Sequence, residues 1–373
     1  MTTRLSDTRS TAADLATQHG ALSTSTRNRC LFLFVAATSF VPPSHGQTPP
    51  DYDFLWSRIG ATGNAPYSGP DETSMNVNGR GRVDYEYRMS TLEVTSGQWL
   101  EFLNTYSMSA TPPRLFSNRN PVYWGGGVDG TYSGPGRRFI LNPNIPNASL
   151  LPVASISFDM SMLYCNWLHN GKGTSPSAIA TGAYDTTVIP DGIDIPQSLY
   201  PLRSPDARFW IPSLDEWIKA AHFDPNRYGE GQSGWWTYRN RSEEPGTPGP
   251  PGLGTTSAGW EGDSFGEWRI PLGSYTDQMS PWGLLDTSGA TAEWIEEIAG
   301  ADPSQTDERW TMGPSAGGTP LALPFYERIS FAFPENASGA ALSGLRIASV
   351  VPAPGGVAIM MFGAVQLTRR RRS

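Results

Sequence analysis

The stock of thiol and imidazole groups in this chain is small: Cys30 and Cys165, with His19, His45, His169 and His222. A thiolate can attack as a nucleophile or hold a soft metal ion, and an imidazole can ligate a metal or move a proton. The spacing argues against each use. Cys165 falls in a run where Met160, Leu163, Tyr164 and Trp167 share one helical face. A thiol in that setting reads as a small buried hydrophobe, inert without an electropositive neighbour. His169 and His222 fall in the last turns of two expected helices, where the helix dipole favours a cation, so capping accounts for them more simply than metal binding.

Three short helices are expected to position these groups. Ser213 and Glu216 have capping-box spacing, and Leu214, Trp217, Ile218 and Ala221 follow on one apolar face, with a stop at Asp224 before Pro225. Thr95 and Gln98 repeat the box ahead of Trp99, Phe102, Leu103 and Tyr106. The third helix carries Cys165 and should end in a left-handed cap at Gly171. Short apolar runs such as Pro152 to Ile156 and Leu345 to Val350 read as strand-forming, and Glu244 to Gly254 is a Gly/Pro loop. The pattern is an α+β chain with much coil.

Composition agrees with a packed, loop-rich globule. The 373 residues include 40 Gly and 33 Pro, so irregular segments are long, while 13 Trp supply more apolar surface than a disordered chain carries. A net charge of -8, without a basic stripe in the central region, excludes nucleic acid as an expected partner. Arg27 and Arg29 precede an apolar run from Cys30 to Val41, followed by Pro42, Pro43 and small residues, the order of a secretory signal peptide. Cys30 would leave with it, and the remaining Cys165 has no partner for an internal disulfide. At the other end, the stretch from Gly355 to Leu367 is apolar but, at about 13 residues, shorter than the roughly 20 of a spanning helix. Its order of Pro pair, apolar segment and Arg369 to Arg372 resembles the PEP-CTERM sorting signal processed by exosortase-type enzymes, with Ala353 in place of the usual Glu. The expected organisation is a signal peptide with an extended N-region (1–46), a leader (47–80), one domain (81–349) and a sorting tail (350–373), exported to the bacterial cell envelope.

Within the domain, five segments stand in a telling order: Tyr85 to Asn104, Pro152 to Gly171, Arg208 to Asn226, Ser288 to Glu297 and Gly344 to Ser349. Together they resemble the formylglycine-generating enzyme, or sulfatase-modifying factor, family. The resemblance implies a variant C-type-lectin-like fold. It also implies an oxidation of a client cysteine at copper held by two thiolates, placed after a segment matched here by Met312-Gly313-Pro314-Ser315. No cysteine follows that segment, so copper is not expected and neither is the reaction. A non-haem iron site would need histidines and carboxylates in a facial set, which His169 and His222 do not supply by spacing.

The resemblance implies a Ca²⁺ loop at Asp286, Gly289, Thr291 and Glu293, with two side-chain and two backbone oxygens. The alternative is that Asp286 caps a turn and Glu293 is a structural carboxylate. Glu93, Cys165, Glu216, Trp217, Trp294 and Arg346 match structural positions of the family, with Glu93 and Arg346 suited to buried polar networks. Trp235, Trp236 and Tyr238 match an aromatic segment that either lines a ligand groove or packs in the core. The expected function is a non-catalytic binding or structural module of the envelope, partnered by a protein, peptide or polysaccharide. An oxidoreductase with an unrecognised metal site is the alternative, and carbohydrate binding a further one.

Overall fold

The computed structural model describes residues 49–352, apart from 72–74, 109–119, 192–193, 261–265, 319 and 340–341. The expected signal peptide and nearly all of the expected sorting tail lie outside the described residues, as do Cys30, His19 and His45.

The first described strands are β1 (Trp56–Ile59), β2 (Tyr87–Ser90), β3 (Gly126–Val128), β4 (Phe139–Leu141), β5 (Phe209–Trp210) and β6 (Phe223–Asp224). They continue with β7 (Gly234–Trp235), β8 (Ala292–Ile298), β9 (Glu308–Met312), β10 (Ala332–Asn336), β11 (Ser343–Gly344) and β12 (Ala348–Val350). The helices among the described residues are α1 (Ser96–Ser107), α2 (Phe158–His169), α3 (Pro176–Ala180), α4 (Leu214–His222) and α5 (Leu323–Tyr326). One four-stranded sheet runs β1-β2-β12-β5 and a second runs β10-β9-β8-β11, with β3-β4 and β6-β7 as two-stranded ribbons. β1 comes from the stretch expected as a leader, and pairs along its length with β2. Met75 and Val77, from the same stretch, are buried in a core cluster.

Local chemistry explains the helix ends. At α1, Thr95 accepts from the Gln98 N–H and the Gln98 side chain accepts from the Thr95 N–H, which satisfies two donors that the first turn leaves free. Ser213 and Glu216 do the same at α4, at 3.2 and 2.7 Å. α2 ends as its sequence predicts, with Gly171 at φ +72° and Lys172 N–H bonded back to the Trp167 carbonyl. α4 stops at His222, two residues before the expected Asp224. Phe223 instead turns extended, pairs with Trp235 and buries its ring 5.1 Å from that indole.

Burial also departs from the one-sided picture. Every residue of α2 from Phe158 to Leu168 is buried, as is all of α4 except Asp215. Lys219 is drawn in with it, its Nζ donating to the Ala61 carbonyl at 3.1 Å, and burial pushes its ammonium down to about 8. β8 accounts for much of this burial. Alternation along the strand sends Trp294 into the large aromatic core with Phe158, and Ile295 into a second core with Trp217 and Ile218. Glu293, just before them on the same strand, is a buried carboxylate.

Candidate functional site

A carboxylate in that position must find charge and hydrogen-bond partners, or the fold pays the cost of an unpaired buried ion. Arg346 supplies them. The chain reaches it through β11, which lies parallel to β8 with Ser343 opposite Ala292 and Gly344 opposite Glu293, before crossing to β12 in the other sheet. Gly344 is required at the crossing, because a Cβ there would lie 2.3 Å from Thr291 Oγ1 and 2.7 Å from the Val153 carbonyl oxygen. Arg346 Nε donates to Glu293 at 2.9 Å and Nη2 donates to the same carboxylate at 2.7 Å. Nη1 donates to the Ser90 and Thr91 carbonyls, and Nη2 also to that of Leu285, each at 2.8 Å. All five guanidinium donors are thereby used. The second Glu293 oxygen accepts from Trp217 Nε1 at 2.6 Å, which fastens α4 to β8.

Two more acids surround this pair. Glu93 accepts from the Thr291 N–H at 3.1 Å and its hydroxyl at 2.8 Å, and burial, with Glu293 close by, pushes its carboxyl well above the usual range. Asp286 has a left-handed backbone, φ +55°, and accepts from the Gly273 N–H at 2.6 Å. Burial raises it to about 6. One guanidinium among three acids leaves Glu293 as the acid held by direct ion pairing.

A second polar cluster, which the sequence reading passed over apart from Glu216, is built on that residue. Its carboxylate accepts from Tyr85 Oη at 2.7 Å, Trp210 Nε1 at 3.0 Å and Arg203 Nη1 at 3.3 Å, besides its capping bond. Arg203 also lies 3.6 Å from Glu296, which accepts from Tyr184 Oη at 2.6 Å. Burial raises Glu296 to about 7. Arg239, likewise unsingled by spacing, is buried with its guanidinium over the Trp217 ring at 5.2 Å. These partners come from distant segments without a shared period.

The residues with reactive side chains are elsewhere and quiet. Cys165 is fully buried in α2, and burial pushes its thiol well above its ordinary value. His169 and His222 do sit in last turns, but neither is the dipole-stabilised cation expected there. His169 Nδ1 accepts from the Arg208 N–H at 3.2 Å, His222 Nδ1 lies 3.0 Å from the Trp236 carbonyl, and burial lowers both pKa values. Trp235, Trp236 and Tyr238 each have their own packing partners. Trp235 packs on Tyr67 and Phe223, Trp236 lies under Arg227 and donates to Asp224, and Tyr238 is buried with its hydroxyl on the Pro324 carbonyl.

Residues 63–349 match the sulfatase-modifying factor enzyme 1-like domain. The chain belongs to that family. Its α+β, coil-rich architecture is the variant C-type-lectin-like fold expected from the motifs. Among solved structures it is similar to CarF, at 16% identity and TM-score 0.44, over 80% of this chain and 98% of that one. It is also similar to Treponema denticola variable protein 1, at 17% identity and TM-score 0.49, over 80% and 95%. PvdO from Pseudomonas aeruginosa follows at 16% identity and TM-score 0.40, over 80% and 92%. No curated protein matches the chain significantly.

As a cage for the Ca²⁺ ion that the family resemblance implies, Asp286, Gly289, Thr291 and Glu293 do not fit. Of the two side-chain ligands the loop would offer, Glu293 has both oxygens held by protein donors and Asp286 has one held by Gly273. Among the described residues no group of three or more His, Cys, Asp or Glu side chains is placed to hold a metal. Arg346 already provides the positive charge. Accordingly, EDTA should leave the thermal melt of the purified domain unchanged, and a rise in Tm on adding millimolar Ca²⁺ would contradict this assignment.

Glu296 gives a pH signature. Its pKa rises from 4.5 unfolded to about 7 folded, so the native state holds a proton that the unfolded chain has released. Its contribution is full below pH 4.5 and is lost as pH rises through 7. The stability of wild type relative to Glu296→Gln, followed by urea unfolding, should therefore fall across that window, and a flat or rising difference would contradict the assignment.

Proposed function

We propose that this chain is an exported binding module of the cell envelope, built on the sulfatase-modifying factor fold without the copper thiol chemistry of the family's enzymes. One observation carries the reading. Cys165, the cysteine of the folded domain, is enclosed in the α2 core with its thiol held protonated, and no cysteine lies between Thr311 and Ala348. A pair of thiolates is what Cu(I) needs, and Ser, Thr and Glu do not replace it.

What supports a binding role is an aromatic face at the margin of the second sheet. Tyr326, Phe331 and Phe333 meet with ring centroids 4.5 to 4.9 Å apart and remain partly exposed. Phe325, 56% exposed, and Leu321, 91% exposed, precede Tyr326 in the chain. Exposed rings and aliphatic side chains in one place are what a polysaccharide or a peptide can pack against. The apolar run behind Arg27 and Arg29 supports export, and the Arg-ended tail supports retention at the envelope.

Metal analysis of protein purified from an exporting host tests this reading. Copper and iron should both stay far below one equivalent, and no oxygen uptake should accompany a cysteine-bearing peptide. Stoichiometric copper or iron together with thiol-dependent oxygen uptake would establish the oxidoreductase alternative instead.

A further inference from the structure

Beside the Gly/Pro loop lies a cavity of about 20 Å³, with Arg239, Asn240, Gly246, Gln278, Ser288 and Glu327 in its wall. Arg239 and Glu327 are buried, at 2% and 4% exposure, and each bears on the other's charge, yet among the described residues the guanidinium makes no ion pair. Both Glu327 oxygens accept from donors in this wall, Ser288 Oγ and the Gly246 N–H, so the carboxyl group stands at the cavity. Arg239 commits Nη2 to the carbonyl of Tyr326, the residue before Glu327, which leaves Nε and Nη1 buried without an acceptor. Asn240 donates to Gln278 through Nδ2, and its Oδ1 is buried without a donor. Two adjacent residues of one cavity wall thus carry three unpaired polar atoms, and the proposed envelope role uses none of them.

We propose that this cavity is a socket for one uncharged oxygen, of a water molecule or of a polyol hydroxyl, which accepts from Arg239 and donates to Asn240. Size sets the number. A single water needs roughly 10 to 15 Å³ of such space, so the cavity admits one oxygen and excludes a whole carboxylate, phosphate or sugar ring. The wall sets the charge. Its one guanidinium is joined by the carboxyl groups of Glu327 and Asp286, which disfavour an anion, while the free N–H groups of Arg239 disfavour a cation. Hydrogen-bond count sets the chemistry. A hydroxyl has two lone pairs to meet Nε and Nη1 and one proton for Asn240 Oδ1, and a buried water typically makes about three such bonds. Both sources can enter, because Asn240, Gly246, Thr255, Gln278 and Ser288 are only half-buried.

Crystals of the purified protein grown without polyols test the socket, with one set soaked in bromide and another in ethylene glycol as the polyol probe. Without the glycol, an isolated oxygen should appear within hydrogen-bond distance of both Arg239 and Asn240. In the glycol soak its density either stays isolated, which makes the guest water, or continues into the glycol carbons, which makes it a hydroxyl. Arg239→Met and Asn240→Leu each remove one side of the socket, and each should empty it. Asn240→Leu carries the test if Arg239→Met fails to fold. An empty cavity in the wild type, an anomalous bromide peak there, or an oxygen that stays in place in a folded variant would overturn the proposal. None of these outcomes bears on whether the domain holds copper or iron, so the two readings fail separately.

Discussion

A guanidinium withdrawn completely from water needs an acceptor for each N–H and a counter-charge for the whole group, and few places in a fold supply both. At Arg346 the chain provides them from three segments: Glu293 on β8, Ser90 and Thr91 at the end of β2, and Leu285 before the Asp286 turn. The two four-stranded sheets meet at this point, since residues 343–350 leave one sheet as β11 and enter the other as β12. Trp217 adds α4 through the remaining Glu293 oxygen. Both sheets and the most amphipathic helix thus share one ion pair. Replacing such a pair with apolar residues of similar volume is often neutral for stability, whereas removing one partner leaves a buried charge. Its value here is geometric, because it fixes which strand crosses where.

That use of charge also explains why clustered buried acids need not mark chemistry. Glu93, Asp286 and Glu293 are gathered around one cation, and two of them have carboxyls raised by burial. The Glu216, Arg203 and Glu296 cluster behaves alike, with both Glu216 oxygens and one Glu296 oxygen accepting from named donors and the other Glu296 oxygen paired with Arg203. A catalytic acid or base needs a proton that a substrate can reach. In these clusters the reachable groups are few, and the thiol that could have reacted is fully buried in α2.

The sequence was most readable where the physics is local. Thr95 with Gln98, Ser213 with Glu216, and Gly171 after α2 each act within four residues, and each forms as its spacing requires. The sheets were not readable in this way. β5 and β11 are two residues long, and β12 joins β2 across more than two hundred and fifty residues, so no periodicity marks the pairing. The end of α4 was misplaced because Phe223 gains more from pairing with Trp235 than from another helical residue. In the aromatic segment Trp235 ends β7 and packs on Tyr67 and Phe223, whereas Trp236 beyond it lies under Arg227 and donates to Asp224, partners that no spacing announces. Arg203 and Arg239 carry no spacing signal, and only the fold brings them to Glu216 and Trp217.

The central claim is that Glu293 and Arg346 act as one unit joining the sheets, and a double-mutant cycle measures that directly. Urea unfolding of Glu293→Leu, Arg346→Met and the double variant gives the coupling energy. Each single change should cost about 3 to 5 kcal/mol by leaving its partner charged and unpaired, and the double variant should recover a large part of the summed loss. Additive losses, with the double variant as unstable as the two singles combined, would contradict the claim.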